Sequence, residues 1–189
     1  MRVLLRPSRW HGNDLMAGAI REIVFGAEDG AVQNTALIGG MVGAGLTNRV
    51  IVIVGLINAI AGVLSMSMGT YLSSKAERDT HLATTDANVS PTRTFSPGRD
   101  AAVMAVAYAG GALVPITPFT MGFISPSQAI RVAMVATGLT LFALGVGKAI
   151  VSRQKLLRSG LEMLLLAAAA GIAGYALGVA AGAMFGVDV

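Results

Sequence analysis

Two adjacent carboxylates, Glu28 and Asp29, open an apolar run, and one helical turn beyond Asp29 stand Gln33, Asn34 and Thr35. A carboxylate entering a hydrocarbon layer costs up to about 3 kcal/mol, the value at the centre, unless it is paired, hydrated or protonated. A group kept at that cost is suited to binding a cation or accepting a proton. The plainer alternative is a helix-start residue still wetted by the interface, and for Glu28 the two readings are balanced. Asp29 and Gln33 share one helix face, and the Gln33 and Asn34 amides offer neutral oxygens beside the charge. Further along, Met66 stacks with Asn58 and Gly62 at spacings of four. Its thioether is a soft ligand that tolerates Fe(II) or Cu(I) and is poor for Mg or Ca. A lone methionine in an apolar helix is more often a packing residue.

Other chemistries are poorly served. The chain has no cysteine, which excludes disulfides, thiolate metal sites and cysteine nucleophiles. Its two histidines, His11 and His81, both lie outside the apolar runs, so a histidine-rich zinc site in a membrane is excluded as well. No HExxH motif, Ser–His pair or catalytic aspartate pair occurs in the apolar runs. An intramembrane enzyme is therefore disfavoured, and neither a catalytic residue nor a cofactor is expected.

The elements that must position these residues follow from composition. Of the 189 residues, 54% are hydrophobic and 13% charged, against about 25% charged in soluble domains. Mean hydropathy is +0.69. Lipid is the solvent this chain is built for. Five stretches approach the ~20 residues that a spanning helix needs, at roughly 27–47, 50–72, 101–121, 129–149 and 161–185. The first is the least apolar. The expected fold is an all-α integral membrane protein with five transmembrane helices. A cytosolic segment, 1–26, precedes a five-span domain, 27–189, and carries a short amphipathic helix from Asn13 to Val24. In that helix Leu15, Met16, Ile20, Ile23 and Val24 would lie on the interface, with Arg21 and Glu22 in water. The range 73–100 reads as a flexible cytosolic loop rich in Ser, Thr and Pro. The connections at 48–49 and 122–128 are short, which predicts antiparallel neighbours on either side of each.

Basic residues fix the orientation. Of the 14 Lys and Arg, only Arg49 and Arg131 fall on the second side of a five-span arrangement; the other twelve share the first. The positive-inside rule then predicts a cytosolic N-terminus. The same asymmetry accounts for the net charge of +4 without any nucleic acid. Glycines recur as Gly55, Gly62, Gly69 in the second span and as Gly174, Gly178, Gly182 in the fifth, the latter a small-xxx-small ladder for close helix packing. Pro115 and Pro118 bend or break the third span and free carbonyls, either lining a cavity or making a plain kink.

Read in order, REIVFGAEDGAVQ and VLSMSMGTYLSSKAERD resemble the vacuolar iron transporter family, which includes nodulin-like members. GGALVPITPF is similar to its third-span motif, and SGLEMLLLAAAAGIAGYALG to its last span. The resemblance covers nearly all of the chain except the N-terminal dozen residues and 79–99. It implies a homodimer whose first two spans line a metal path. Asp29 takes the place of the family's metal-binding aspartate, and Met66 that of its methionine. It also implies export of Fe(II), or Mn(II), from the cytosol in exchange for protons.

The chain departs from that pattern in three places. Iron-storage members carry a helical, Glu- and Met-rich cytosolic domain between spans two and three, where this chain has a short loop with no Met from 79 to 99. Gly62 and Thr70 stand where many bacterial relatives place acids. Glu28 stands where relatives often have Asn or Ser.

The resulting expectation is a divalent metal exporter, with Asp29, Glu28, Gln33, Asn34 and Met66 on the metal's route. A prokaryotic plasma membrane suits so short a chain. The rival expectation is a non-transporting scaffold or regulatory protein that kept the frame.

Overall fold

The computed structural model describes residues 11–84 and 96–185, and these are almost wholly helical. Five α-helices follow one another: α1 (His11–Gly43), α2 (Asn48–Thr84), α3 (Pro97–Ile116), α4 (Pro126–Ser152) and α5 (Leu156–Phe185). A short 3-10 turn, Thr117–Thr120, extends α3.

Four of these helices are long and apolar enough to cross a membrane: α2, α3, α4 and α5. The exception by composition is α1, with Arg21, Glu22, Glu28 and Asp29 along its first half. Its position explains what its composition lacks. It packs extensively against both α3 and α5 and also touches α4 and α2. A helix enclosed by its neighbours presents little surface to lipid, so its own hydropathy matters less.

Glycine sets the closeness of those packings. A Cβ at Gly174 would land on the Ala36 carbonyl, and one at Gly178 on the Gly40 carbonyl; Gly182 lies next to Ala44. The ladder read from the sequence is therefore the α1–α5 seam. Both sets of numbers rise together by fours, so α1 and α5 run parallel. The same holds between α1 and α3, where Gly26 meets Met104 and Gly30 meets the Tyr108 carbonyl. The first, third and fifth helices thus point the same way.

Several expected boundaries moved. Residues 11–43 form one continuous helix, with no break separating an amphipathic helix from the first apolar stretch. Glu22, expected in water, is buried. The cause is tertiary: one turn of helix extended beyond the apolar run carries it between neighbouring helices. Helix α2 runs on to Thr84, twelve residues into the range read as a loop. At 37 residues it is about 55 Å long, well beyond the ~30 Å hydrocarbon core. The remainder of that range up to Pro97 includes residues 85–95, which lie outside the described residues. The short connections do join neighbours, but α1 and α2 pack only lightly; α2 leans chiefly on α3.

The proline region resolves as a packed corner. Helix α3 ends one residue after Pro115, where the Thr117 amide N–H and hydroxyl both donate to the Leu113 carbonyl. Pro115, Ile116, Pro118 and Phe119 are all buried, and the Ile116 side chain packs on Gly55 of α2. The bend is a plain kink filled with side chains.

Candidate metal path

Of the five residues singled out from the sequence, Asp29, Gln33, Asn34 and Met66 fall on two levels of one seam, where α1 faces α2 and α3. The upper level is amide-rich. Asn34 is fully buried; its Nδ2 donates to the Gly30 carbonyl at 3.3 Å, and its Oδ1 accepts from Nδ2 of Asn58 in α2 at 3.3 Å. Gln33, one residue earlier, is exposed, and its Oε1 accepts a hydrogen bond from the Tyr108 hydroxyl. Tyr108 is wholly buried in α3. Its ring lies so close to Gly62 that a Cβ there would overlap the phenol. The absence of a side chain at position 62 is thus a condition for Tyr108 reaching Gln33.

Asp29 lies one turn before Gln33, half-buried, and within electrostatic reach of the Tyr108 phenol. Glu28 is half-buried beside it. Among the described residues, no hydrogen bond or ion pair engages Glu28 or Asp29. Two neighbouring carboxylates, Asp29 of them at the polar seam, therefore stand in an apolar bundle with no cation beside them among the described residues.

Met66 belongs to the lower level. The Asn34–Asn58 contact fixes the antiparallel register of α1 and α2, so Met66 comes level with Gly26, three residues below Asp29. At 1.5 Å per residue that is about 4.5 Å nearer the basic end of the bundle. There Met66 lines a cavity of about 640 Å³ between α1, α2 and α3, together with Glu22, Phe25, Ser73 and Met104. The sequence reading did not single out Met104, which adds a second thioether to this wall and is itself buried against Gly26.

Glu22 closes the cavity's polar side. Its carboxylate accepts from Arg21 Nε at 3.0 Å and Nη2 at 2.6 Å, with the glutamate side chain buried and the arginine largely exposed. The hydrogen bonds to Glu22 hold the Arg21 guanidinium still further toward its charged form. Partial burial opposes this, while the charges of Glu22, Glu77 and Asp100 reinforce it. The start of α3 is tied to α2 here by the Ser74 hydroxyl, which donates to Asp100 at 2.8 Å.

Among the described residues, no three His, Asp or Glu side chains converge as a metal cage. The polar groups along the seam are mixed: the Asp29 carboxylate, the Gln33 and Asn34 amides and the Tyr108 phenol on one level, and the Met66 thioether below them. Tyr108 was missed in the sequence because an aromatic residue in an apolar run reads as core. Its spacing seven residues before Pro115 carries no signal by itself, and only the neighbouring Gly62 and Gln33 give it a polar role.

These features define a multi-pass helical membrane protein with a carboxylate-bearing polar seam inside its bundle. Residues 20–90 and 83–179 match the VIT family, and the chain belongs to it. It is 32% identical over 173 residues to a vacuolar iron transporter homolog 1 of Oryza sativa subsp. japonica, spanning 85% of this chain and 73% of that relative. A vacuolar iron transporter homolog 2 from the same plant is 30% identical over 156 residues, spanning 77% of this chain and 82% of the relative. A vacuolar iron transporter homolog 2 of Arabidopsis thaliana is 28% identical over 150 residues, spanning 75% and 76% respectively.

Proposed function

We propose that this protein is a divalent metal transporter that carries Fe(II), or Mn(II), out of the cytosol in exchange for protons. The observation that carries the reading is Asp29, with Glu28 next to it, without a partner among the described residues and close to the Gln33 and Tyr108 oxygens. An ionised carboxylate in such a place is costly unless a cation or a proton joins it. Metal and proton compete for the same oxygens, which is the chemistry an antiporter needs. The relatives' names, vacuolar iron transporter homologs, support a metal cargo and a transport role rather than catalysis.

The ion enters from the basic side, where Glu22, Met66 and Met104 line the cavity. It then moves about one turn to Asp29 and Glu28, with Gln33 and Asn34 supplying neutral oxygens. Loading by metal or proton neutralises the carboxylates and shifts the balance between the two access states. We infer five crossings with a cytosolic N-terminus, because α1 runs parallel to α3 and α5 and the basic residues favour one side. A homodimer fits the exposure of Gln33 beside two carboxylates. A second subunit across α1 and α2 would cover polar groups that otherwise meet lipid. The relatives' names carry a vacuolar membrane, and they lend no support to a prokaryotic plasma membrane.

Uptake of Fe(II) and Mn(II) into proteoliposomes under an imposed pH gradient tests this, with Asp29→Ala as the comparison. Gradient-dependent uptake lost in the mutant supports antiport through Asp29. No uptake of either ion by a folded protein turns the reading to a scaffold or regulatory role.

A further inference from the structure

Away from the metal path, the turn between α4 and α5 encloses a polar cavity of about 460 Å³ lined by Arg153, Gln154, Lys155, Arg158, Ser159 and Glu162. Three cations face it against one carboxylate. Arg158 Nε donates to Glu162 at 3.1 Å, and among the described residues Arg153 and Lys155 pair with no carboxylate. Arg153 ends α4 in the left-handed conformation, with φ 52° and ψ 36°, and the Arg153 and Gln154 amides donate back to the Ala149 carbonyl. That tight reversal brings the basic side chains to the first turn of α5.

In α5 the first intrahelical bond runs from the Ser159 amide to the Lys155 carbonyl at 3.1 Å. The amides of 156–158 therefore precede any intrahelical acceptor, and the positive end of a 30-residue helix points at the cavity. A helix start alone is weak ground. The second observation is Ser159, which lines the cavity and is 2% exposed, yet its Oγ is a buried atom with no hydrogen-bond partner. Buried hydroxyls are normally satisfied, and in a helix a serine commonly bonds back to the carbonyl four residues earlier. This one does not, and it sits among cations.

We propose that this corner binds a phosphate group, and that its source is the headgroup of an anionic lipid. Arginine forks and a helix start both fit phosphate oxygens, and a turn of the Ser159 side chain about χ1 would bring its unsatisfied hydroxyl to the cavity it lines. The lipid source follows from the walls: Val151, Leu157 and Leu161 beside the cavity are all exposed and continue the apolar surface of α4 and α5. A lipid would lay its chains there, whereas a free anion gains nothing from them. The site lies on the basic side of the bundle, where anionic lipids concentrate if that side faces the cytosol. This inference needs only the membrane setting and is independent of the transported ion.

The test is thermal unfolding of the purified full-length protein in detergent, titrated separately with phosphatidic acid, phosphatidylcholine and inorganic phosphate. Phosphatidic acid should raise the midpoint and phosphatidylcholine should not. Ser159→Ala and Lys155→Gln should each weaken the effect about tenfold, and Lys155→Arg should retain it. Should Ser159→Ala fail to fold, the exposed Lys155 pair still carries the comparison. Protection by inorganic phosphate equal to that by the lipid would keep the phosphate site but overturn the lipid source. An equal effect of phosphatidylcholine, or an unchanged effect in Lys155→Gln, would overturn the site itself.

Discussion

Gly174 and Gly178 of α5 sit directly on carbonyl oxygens of α1, whereas a Cβ at Gly69 of α2 would meet no other part of the bundle within 4 Å. The two helices are similarly apolar, yet α5 is locked to the bundle's central helix while α2 is little buried within the subunit. Ile53, Ile57, Ile60, Leu64 and Met68 of α2 all point away from the bundle. The contrast teaches where this fold is rigid and where it is free to move. Helix α1 carries Glu28 and Asp29 and is held from behind by glycine contacts that tolerate no slack. Its other flank faces α2, joined to it by one polar contact, Asn34 to Asn58, while α2 rests chiefly on α3, where Gly62 receives the Tyr108 ring. The α1–α2 flank is therefore the looser of the two boundaries of α1.

The largest effect should come from filling the rigid seam. Gly178→Leu would drive a side chain into the Gly40 backbone, which cannot step aside. The variant should lose at least about 3 kcal/mol, at the upper end of overpacking costs, seen as aggregation in detergent or a collapsed unfolding midpoint. A well-behaved Gly178→Leu protein would break the comparison at its root.

Next is the functional flank. Asp29→Asn should cut proton-driven metal uptake at least about tenfold, the loss of one charge-assisted contact. The same change should leave the fold intact and raise stability by about 1 kcal/mol, because a half-buried charge without a partner is removed. Loss of transport together with loss of stability would instead make Asp29 a structural residue.

A smaller effect tests the phenol. Tyr108→Phe removes the hydrogen bond to Gln33 and should cost about 1 kcal/mol. Gly62→Ala displaces the same ring, so the two changes made together should cost clearly less than their sum. Simple additivity in thermal unfolding would show that Gly62 and Tyr108 act separately.

The smallest effect belongs to Gly69→Ala. With open space around it in the subunit, the change should stabilise α2 by about 0.5–1 kcal/mol through helix propensity alone. A destabilised variant that also loses its dimer in cross-linking would place a second subunit against that face.

Much of this was legible in the sequence. Lipid as solvent follows from too few charges and too many long apolar runs, which no arrangement of the chain could hide. The Gly174–Gly178–Gly182 ladder announced a close seam because four-residue spacing puts small residues on one helix face whatever lies opposite. Asp29 stood out because a carboxylate in an apolar run is costly in any fold. Other features depended on what the chain brings together from a distance. Glu22 read as a surface residue because burial is decided by α2 and α3, which begin more than twenty residues later. Helix α2 outran its apolar stretch because polar residues form helix as readily as apolar ones once a helix is under way. Tyr108 became a polar residue only when Gly62 made room for its ring, and Met104 joined Met66 only across the cavity between their helices. Composition and periodicity are local properties, so the sequence by itself determined the solvent, the helices and the costly charges. The register between helices is a long-range property, so only the tertiary structure decided which residues meet at those charges.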